Sequence, residues 1–407
     1  MQPMSGVRIL EVAQFTFTPA AGAVLADWGA DVIKVEHAVT GDSQRGLQIG
    51  TGGASQGSFH PLMEHPNRGK RSIGLALELE SARDVLLELA KTSDVFLTNF
   101  LPSARARLRI DVDDIRKVNP NIIYVRGSAH GPRGPDADKG GYDGSTFWSR
   151  AGSAMGATPS DSPRLINQPA GAYGDSMGGM TIAGGIAAAL FARDRTGEPS
   201  VVDVSLLSVG VWAMALSVNN ALMAGEAPPT APLAGSGASP FNPIIGNFRT
   251  SDDRWVNLTM LQAGRYWADV CRHLGLDDLI EDERFDSAKK LMARAPEAGQ
   301  LVAEAIAAKP YAFWLDRLQS LEGQWAPNNN ALEVGQDAQV RANGYIVPVT
   351  DADGRERELV ASPVQFDAEP PTLVRAPQFA EHTDDLLREL GRSDDEIIEL
   401  KIEGAVT

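Results

Sequence analysis

An α/β fold is predicted, with a large domain on a mainly parallel sheet and a smaller α+β domain, and three observations predict it. Residues 7 to 37 pass from VRILEVA, a buried strand, through TPAAGAVLADWGA, a helix, to DVIKVEH, a second strand, which makes a βαβ unit. The alternation then continues through the short strand in NRGKRSIGLAL, helix SARDVLLELAKTSD, strand VFLTNF, helix DVDDIRKVNP and strand NIIYVRGSAHG. Finally, 407 residues exceed what one core accommodates, because cores stop growing near ~250–300 residues. The stretch GEAPPTAPLAGSGASPFNP, residues 225–243, concentrates Pro, Gly, Ser and Ala and reads as a domain boundary.

Each segment then takes its place. Residues 1–200 form the N-terminal part of a Rossmann-like large domain, and 201–243 a helix and linker, with VVDVSLLSVGVWAMALSVNNALMAG read as one long helix. Residues 244–325 form the small α+β domain: two alternating strands about a DD turn in IGNFRTSDDRWVNLTM, then helices near 264–275, 288–307 and 310–321. Residues 326–407 supply a second linker, a hairpin around Asp353-Gly354 and two amphipathic helices near 380–390 and 393–403, which complete the large domain. The first βα turn, AQFTFTPAAG, lacks the spaced glycines that admit a pyrophosphate, so a nicotinamide dinucleotide site is not expected.

Composition excludes several function classes. With 43% hydrophobic and 22% charged residues the chain reads as an ordinary soluble protein. A net charge of −16 argues against nucleic acid or an anionic membrane surface as partner, so an anionic ligand needs a local basic pocket. One cysteine, Cys271, excludes an intrachain disulfide and fits a reducing cytoplasm. The start, MQPMSGVRILEV, has no secretion-signal pattern, and the uncharged run Val204 to Gly225 carries Ser and Asn with acidic flanks, as a core helix does. The six histidines show no metal-ligand spacing, so no metal is expected.

Function centres on GAYGDSMGGMTIAGGIAAALFARDR, residues 171–195. Asp175 sits in glycine-rich backbone just before an uncharged run, Ser176 to Ala192, that reads as a buried helix. Two readings compete. As an N-cap, Asp175 accepts first-turn N–H groups and does no chemistry. As a nucleophile, it is kept ionised by the helix dipole, while Gly174, Gly178 and Gly179 admit substrate to the backbone and their N–H groups stabilise an oxyanion. Glycines inside a helix cost roughly 1 kcal/mol each, which implies that close approach is needed there. A second signal is basic: Arg68, Lys70 and Arg71 cluster before a strand, and Arg105, Arg107 and Arg109 follow another. They read either as solvated turns or as a phosphate clamp at strand ends, where open α/β sheets bind ligands.

Together, GVRILEV with GADVIKVE, NRGKRSI, SDVFLTNFLPSA, GYDG, GDSMGG, RTSDDRW, LEGQWAP and ANGY resemble the class III coenzyme A transferases. That family includes formyl-CoA, carnitine-CoA and phenyllactate-CoA transferases and is related to the α-methylacyl-CoA racemases. The resemblance covers nearly the whole chain. It implies transfer of coenzyme A from an acyl-CoA to a carboxylic acid, with Asp175 as the acylated carboxylate and no tightly bound cofactor. Lys70, Arg71, Asn99, Phe100 and Arg107 match positions that hold coenzyme A, and His37 follows Glu36 where some relatives carry arginine. Thr16 stands where formyl-CoA transferase has a glutamine near the acyl group, and Tyr142 lies in the Gly141-Tyr142-Asp143 motif beside it. Phe15, Phe17, Trp148 and Tyr173 favour a medium or bulky apolar acyl group. The family fold implies an obligate homodimer of two chains threaded like linked rings. The racemases carry a histidine where this chain has Tyr142, so transfer is preferred to α-proton exchange, and a non-catalytic acyl-CoA-binding paralogue is the remaining alternative.

Overall fold

The computed structural model describes residues 1–47, 58–232 and 235–407. Most of the Gly/Ser/Gln-rich loop at 41–58, and two residues of the 225–243 stretch, lie outside them. In chain order the first elements are β1 (Arg8–Val12), α1 (Phe17–Asp27), β2 (Asp31–Glu36), α2 (Pro61–Asn67), β3 (Arg71–Gly74), α3 (Glu80–Lys91) and β4 (Val95–Thr98). Next come α4 (Pro102–Leu108), α5 (Val112–Val118), β5 (Ile123–Ser128), a π-turn over Gly144–Arg150, α6 (Ser153–Ala157), α7 (Tyr173–Thr196) and β6 (Val201–Ser205). These six strands form one sheet in the order β3-β2-β1-β4-β5-β6, every pair parallel. Winding reverses between β1 and β4, and a crevice opens beyond the carboxyl ends of the strands at such a switch point.

Alternation of side chains along each strand divides the core in two. Ile9, Val32, Val95, Leu97 and Val125 face Val24, Leu25, Ile182 and Ile186 of α1 and α7. On the opposite face Leu10, Ile33, Ile73, Phe96 and Tyr124 meet Val85, Leu86 and Leu89 of α3.

The expected single helix over residues 201–225 is corrected. Val201, Val202 and Val204 are β-branched and complete the sheet as β6. Ser205 and Ser208 then form a capping box that starts α8 (Leu206–Ala213), and α9 (Ala215–Ala224) follows at a bend of 72°.

A separate compact unit comprises Gly156–Ile166 and Glu226–Asp337. It holds β7 (Ala238–Ser239), β8 (Asn242–Arg249), β9 (Trp255–Thr259), α10 (Ala263–Leu274), α11 (Ala288–Ala293), α12 (Ala295–Ala307), α13 (Tyr311–Arg317), β10 (Trp325–Pro327) and α14 (Ala331–Gln336). Its antiparallel sheet, ordered β10-β9-β8-β7, packs around Phe248, Trp267 and Trp314. The helix read over 288–307 is two helices, with Pro296 in the first turn of α12.

The chain then rejoins the first unit through α15 (Ala338–Ala342), the hairpin β11 (Ile346–Thr350) and β12 (Glu356–Val360), α16 (Thr383–Glu389) and α17 (Asp394–Glu403). Leu386, Leu387 and Ile397 enter the core on the α3 face, and Val406 bridges Leu75.

Helix α7 lies against α1 with glycine at the contact. A Cβ on Gly179 would stand 2.5 Å from Ala20 Cβ and 3.1 Å from the Ala20 and Ala21 backbone, whereas one on Gly184 would meet nothing within 4 Å. Gly179→Ala is therefore expected to lose about 1–2 kcal/mol, because crowding against backbone exceeds the gain in helix propensity. Gly184→Ala is expected to gain up to about 1 kcal/mol. Thermal unfolding of the two variants checks the contrast, and equal shifts would contradict it.

Candidate active site

A cavity of about 1110 Å³ opens at the switch point, lined by residues from the ends of four strands and by Asp175. After β1 come Gln14, Phe15 and Phe17; after β4 come Asn99, Phe100 and the α4 segment that includes Arg107. Two hydrogen bonds join these neighbouring turns. Gln14 N–H donates to Asn99 Oδ1 at 3.1 Å, and Asn99 Nδ2 donates to the Gln14 carbonyl at 2.6 Å. Arg105 steadies the second turn by donating to the Phe100 carbonyl at 2.7 Å. Arg126 and Asp203 close the β5–β6 side as a bidentate pair at 2.7 and 2.8 Å. Arg107 is exposed and has no carboxylate partner among the described residues, so it is a cation at the cavity wall available to an anionic ligand.

Asp175 lies inside the first turn of α7, since the helix starts at Tyr173 and its N-cap is Ala172, in left-handed backbone at φ 60° with no side-chain cap bond. The N-cap reading is thereby corrected. Its carboxylate has no hydrogen-bond or ion-pair partner among the described residues. The expectation that the helix dipole keeps it ionised is also corrected: burial, then the nearby Asp143 carboxylate, pushes it up to about 7. Asp143 is fixed in place, accepting from Gly144 N–H at 2.8 Å and from Gln168 Nε2 at 3.0 Å. The residue next to Asp175 is held as well. The Ser176 hydroxyl donates to the Ala172 carbonyl at 2.9 Å, which leaves His65 Nε2 as donor to Ser176 Oγ, also at 2.9 Å. Burial, then Arg68, pushes His65 down to about 4, so this imidazole is neutral at neutral pH.

The other expected residues divide. Tyr142 lines the cavity, with its ring edge-on to Phe15 at 5.5 Å. Gly174 is in the first turn, where N–H groups lack intrahelical acceptors, and it packs on Phe147. Gly178 and Gly179 lie further along, so their N–H groups are intrahelical donors and not oxyanion ligands; they admit Phe17 and Ala20. Trp148 and Tyr173 are not in the lining and pack edge-on against each other at 6.4 Å. Thr16 is buried with its hydroxyl donating to Gln44 Oε1 at 2.9 Å, away from the cavity.

Three expected coenzyme contacts are placed elsewhere. Lys70 is fully buried, its Nζ donating to both Glu11 oxygens at 2.7 Å, to the Pro19 carbonyl at 2.8 Å and to Asn67 Oδ1 at 3.2 Å. Gly22 of α1 leaves room for that pair. Arg71 begins β3 and so stands at the amino edge of a parallel sheet, paired with Asp31 at 2.7 Å and Glu389 at 2.5 Å. His37 Nε2 meets Glu78 at 3.0 Å while Nδ1 accepts from Val39 and Thr40 N–H, which makes it the hub of a turn. The basic cluster therefore supplies structural ion pairs and does not line the cavity.

The model of CoA-transferase family III matches residues 4–383. The chain belongs to that family. Among this CoA-transferase's relatives, the cinnamoyl-CoA:phenyllactate CoA-transferase of Clostridium sporogenes is 29% identical over 409 residues, covering 98% of this chain and 95% of the relative. A probable fatty acyl-CoA transferase of Mycobacterium tuberculosis, Rv3272, is 33% identical over 362 residues, covering 83% and 89%. The crystal structure of a CAIB/BAIF family protein from Brucella suis superposes with a TM-score of 0.82 at 25% identity, covering 96% of this chain and 99% of that one.

The raised Asp175 carboxyl has a consequence for stability. Between its ordinary value of 3.8 and about 7 the folded protein keeps a proton that the unfolded chain has released, so stability falls as pH rises through that window. Asp175→Asn removes the penalty. Its stabilisation is expected to be absent near pH 4 and to reach on the order of 3–4 kcal/mol at pH 8. Denaturant unfolding at the two pH values measures this; a stability change that is the same at both would contradict the raised carboxyl.

Proposed function

We propose that this family III enzyme moves coenzyme A from an acyl-CoA thioester to a carboxylic acid through covalent intermediates on Asp175. The observation that carries the reading is a half-buried carboxylate without a partner, lining the switch-point cavity. No ion pair has to break before it attacks.

The steps balance without an outside proton donor. A carboxylate oxygen of Asp175 adds to the thioester carbonyl, the C–S bond breaks, and coenzyme A leaves as thiolate with a mixed anhydride on the enzyme. The thiolate then attacks the aspartyl carbonyl, releasing the donor acid and forming an aspartyl-CoA thioester. The acceptor carboxylate attacks that thioester, a second anhydride forms, and the expelled thiolate attacks its acyl carbon to give the new acyl-CoA and free Asp175. Each intermediate stays activated, so the site must exclude water. First-turn N–H groups at Tyr173 and Gly174 have no intrahelical acceptor, and we assign them as donors to the tetrahedral oxyanions. Arg107 supports the coenzyme's phosphates, with Asn99 and Phe100 shaping the wall beside it.

No histidine is in the cavity lining among the described residues, so proton exchange at an α-carbon has a carboxylate but no imidazole there. A homodimer is the proposed working form. It is supported by α9, which buries none of its residues in the single chain, and by Trp212, Leu216, Leu222 and Met223, each more than three-quarters exposed on α8 and α9.

Incubation with an acyl-CoA followed by hydroxylamine is expected to leave a hydroxamate at Asp175, located by peptide mass spectrometry. Asp175→Ala should lose transfer by several orders of magnitude while staying folded. Wild-type transfer by that variant would remove the nucleophile from the mechanism.

A further inference from the structure

Phe15 is the residue the mechanism leaves unused and the backbone treats as special. Its φ is 65°, in the left-handed region, although it is neither glycine nor asparagine. Such a conformation persists in a bulky residue only where the surroundings impose it, and such residues concentrate at functional sites.

The imposing contacts are specific. Phe15 N–H donates to Asp42 Oδ1 at 3.1 Å, and that same oxygen accepts from Gln44 N–H at 2.9 Å. Asp42 is buried and its other oxygen lies 2.8 Å from Lys34 Nζ, with both side chains fully shielded from solvent. Burial pulls the Lys34 ammonium down, but Asp42, Glu11 and Glu36 outweigh it and hold it charged. A buried charge cluster thus fixes one turn.

The result is where the ring goes. Phe15 faces the cavity and meets Tyr142 edge-on, at 5.5 Å and 87°. Phe17, two residues on, also lines the cavity and lies against Gly178, one helical turn beyond Asp175 on the same face of α7. The carboxylate therefore has an aromatic wall next to it, while the phosphate-suited cation, Arg107, comes from α4.

We infer that Phe15 is a specificity-determining residue whose imposed backbone conformation stands its ring, with Tyr142, against a bulky apolar or phenyl-bearing acyl group. The inference rests on the transfer reading above and adds the class of acyl group to it. Discrimination in such a wall comes from apolar contact, on the order of tenfold to a hundredfold between a phenyl group and a methyl group.

Phe15→Gly separates this role from a structural one, because glycine adopts φ 65° without strain and the Asp42 bond to the backbone is kept. Wild type and variant are compared with 3-phenylpropanoyl-CoA and acetyl-CoA, by kcat/KM with a common acceptor acid and by calorimetric binding. The expected result is a wild type that prefers the phenyl thioester in both measures. In the variant that preference should fall at least roughly tenfold, the phenyl thioester losing far more than acetyl-CoA in both measures. Phe15→Leu, which keeps apolar bulk, should retain part of the preference. A preference unchanged in Phe15→Gly while transfer continues would overturn the inference and leave the transfer reading intact. Equal losses for both thioesters would also overturn it. A wild type that binds thioesters selectively through Phe15 but transfers none would overturn the transfer reading and uphold the selectivity.

Discussion

Close approach of α7 to α1 is the constraint on which the site depends. Gly178 and Gly179 allow Phe17 and Ala20 to occupy space that any side chain would fill. The helix is thereby drawn over the sheet, and its first turn is delivered to the carboxyl edge at the reversal between β1 and β4. The glycines in this stretch serve packing, and packing sets the position of the acid. Left-handed backbone at Ala172 starts the helix without a capping side chain, which leaves Asp175 free of the bond that a cap would make.

Much of this was legible in the sequence because local patterns carry it. Alternation of apolar segments marked the strands and helices of the parallel sheet, and the carboxylate before a glycine-rich helix marked Asp175. Arg107 was legible as a cavity-edge residue, because a residue just past a strand end falls at the carboxyl edge whatever the sheet order, whereas Asn99 and Phe100 were singled out only by the family resemblance. Lys70 and Arg71 precede or begin a strand, so parallel winding sends Arg71 to the opposite edge, and Lys70 falls beneath α1 opposite Glu11. A Glu at 11 and a Lys at 70 announce no pairing until β1 and β3 are placed in one sheet. Asp143 beside Asp175, His65 on Ser176 and the left-handed Phe15 likewise depend on contacts between distant segments. Phe15 was named from the sequence as one of four aromatic residues favouring a bulky acyl group, but its left-handed backbone and the Asp42 contact that fixes it were not legible there.

Electrostatics ties the site to the chain's composition. In a protein of net charge −16 the cavity is not a general anion trap; among the described residues Arg107 is its uncommitted cation, and burial and Asp143 hold the Asp175 carboxyl above its ordinary value. A carboxylate poised near neutrality is a stronger nucleophile than an ordinary one, since nucleophilicity follows basicity.

The central claim is that an unpartnered Asp175, titrating near neutrality, attacks the thioester. The direct measurement is a quenched-flow burst of free donor acid after mixing enzyme with acyl-CoA and no acceptor. The burst rate should rise with pH through a midpoint near 7, and that midpoint should move lower in Asp143→Asn. A burst rate independent of pH from 5 to 9, or one whose midpoint ignores Asp143, would contradict it.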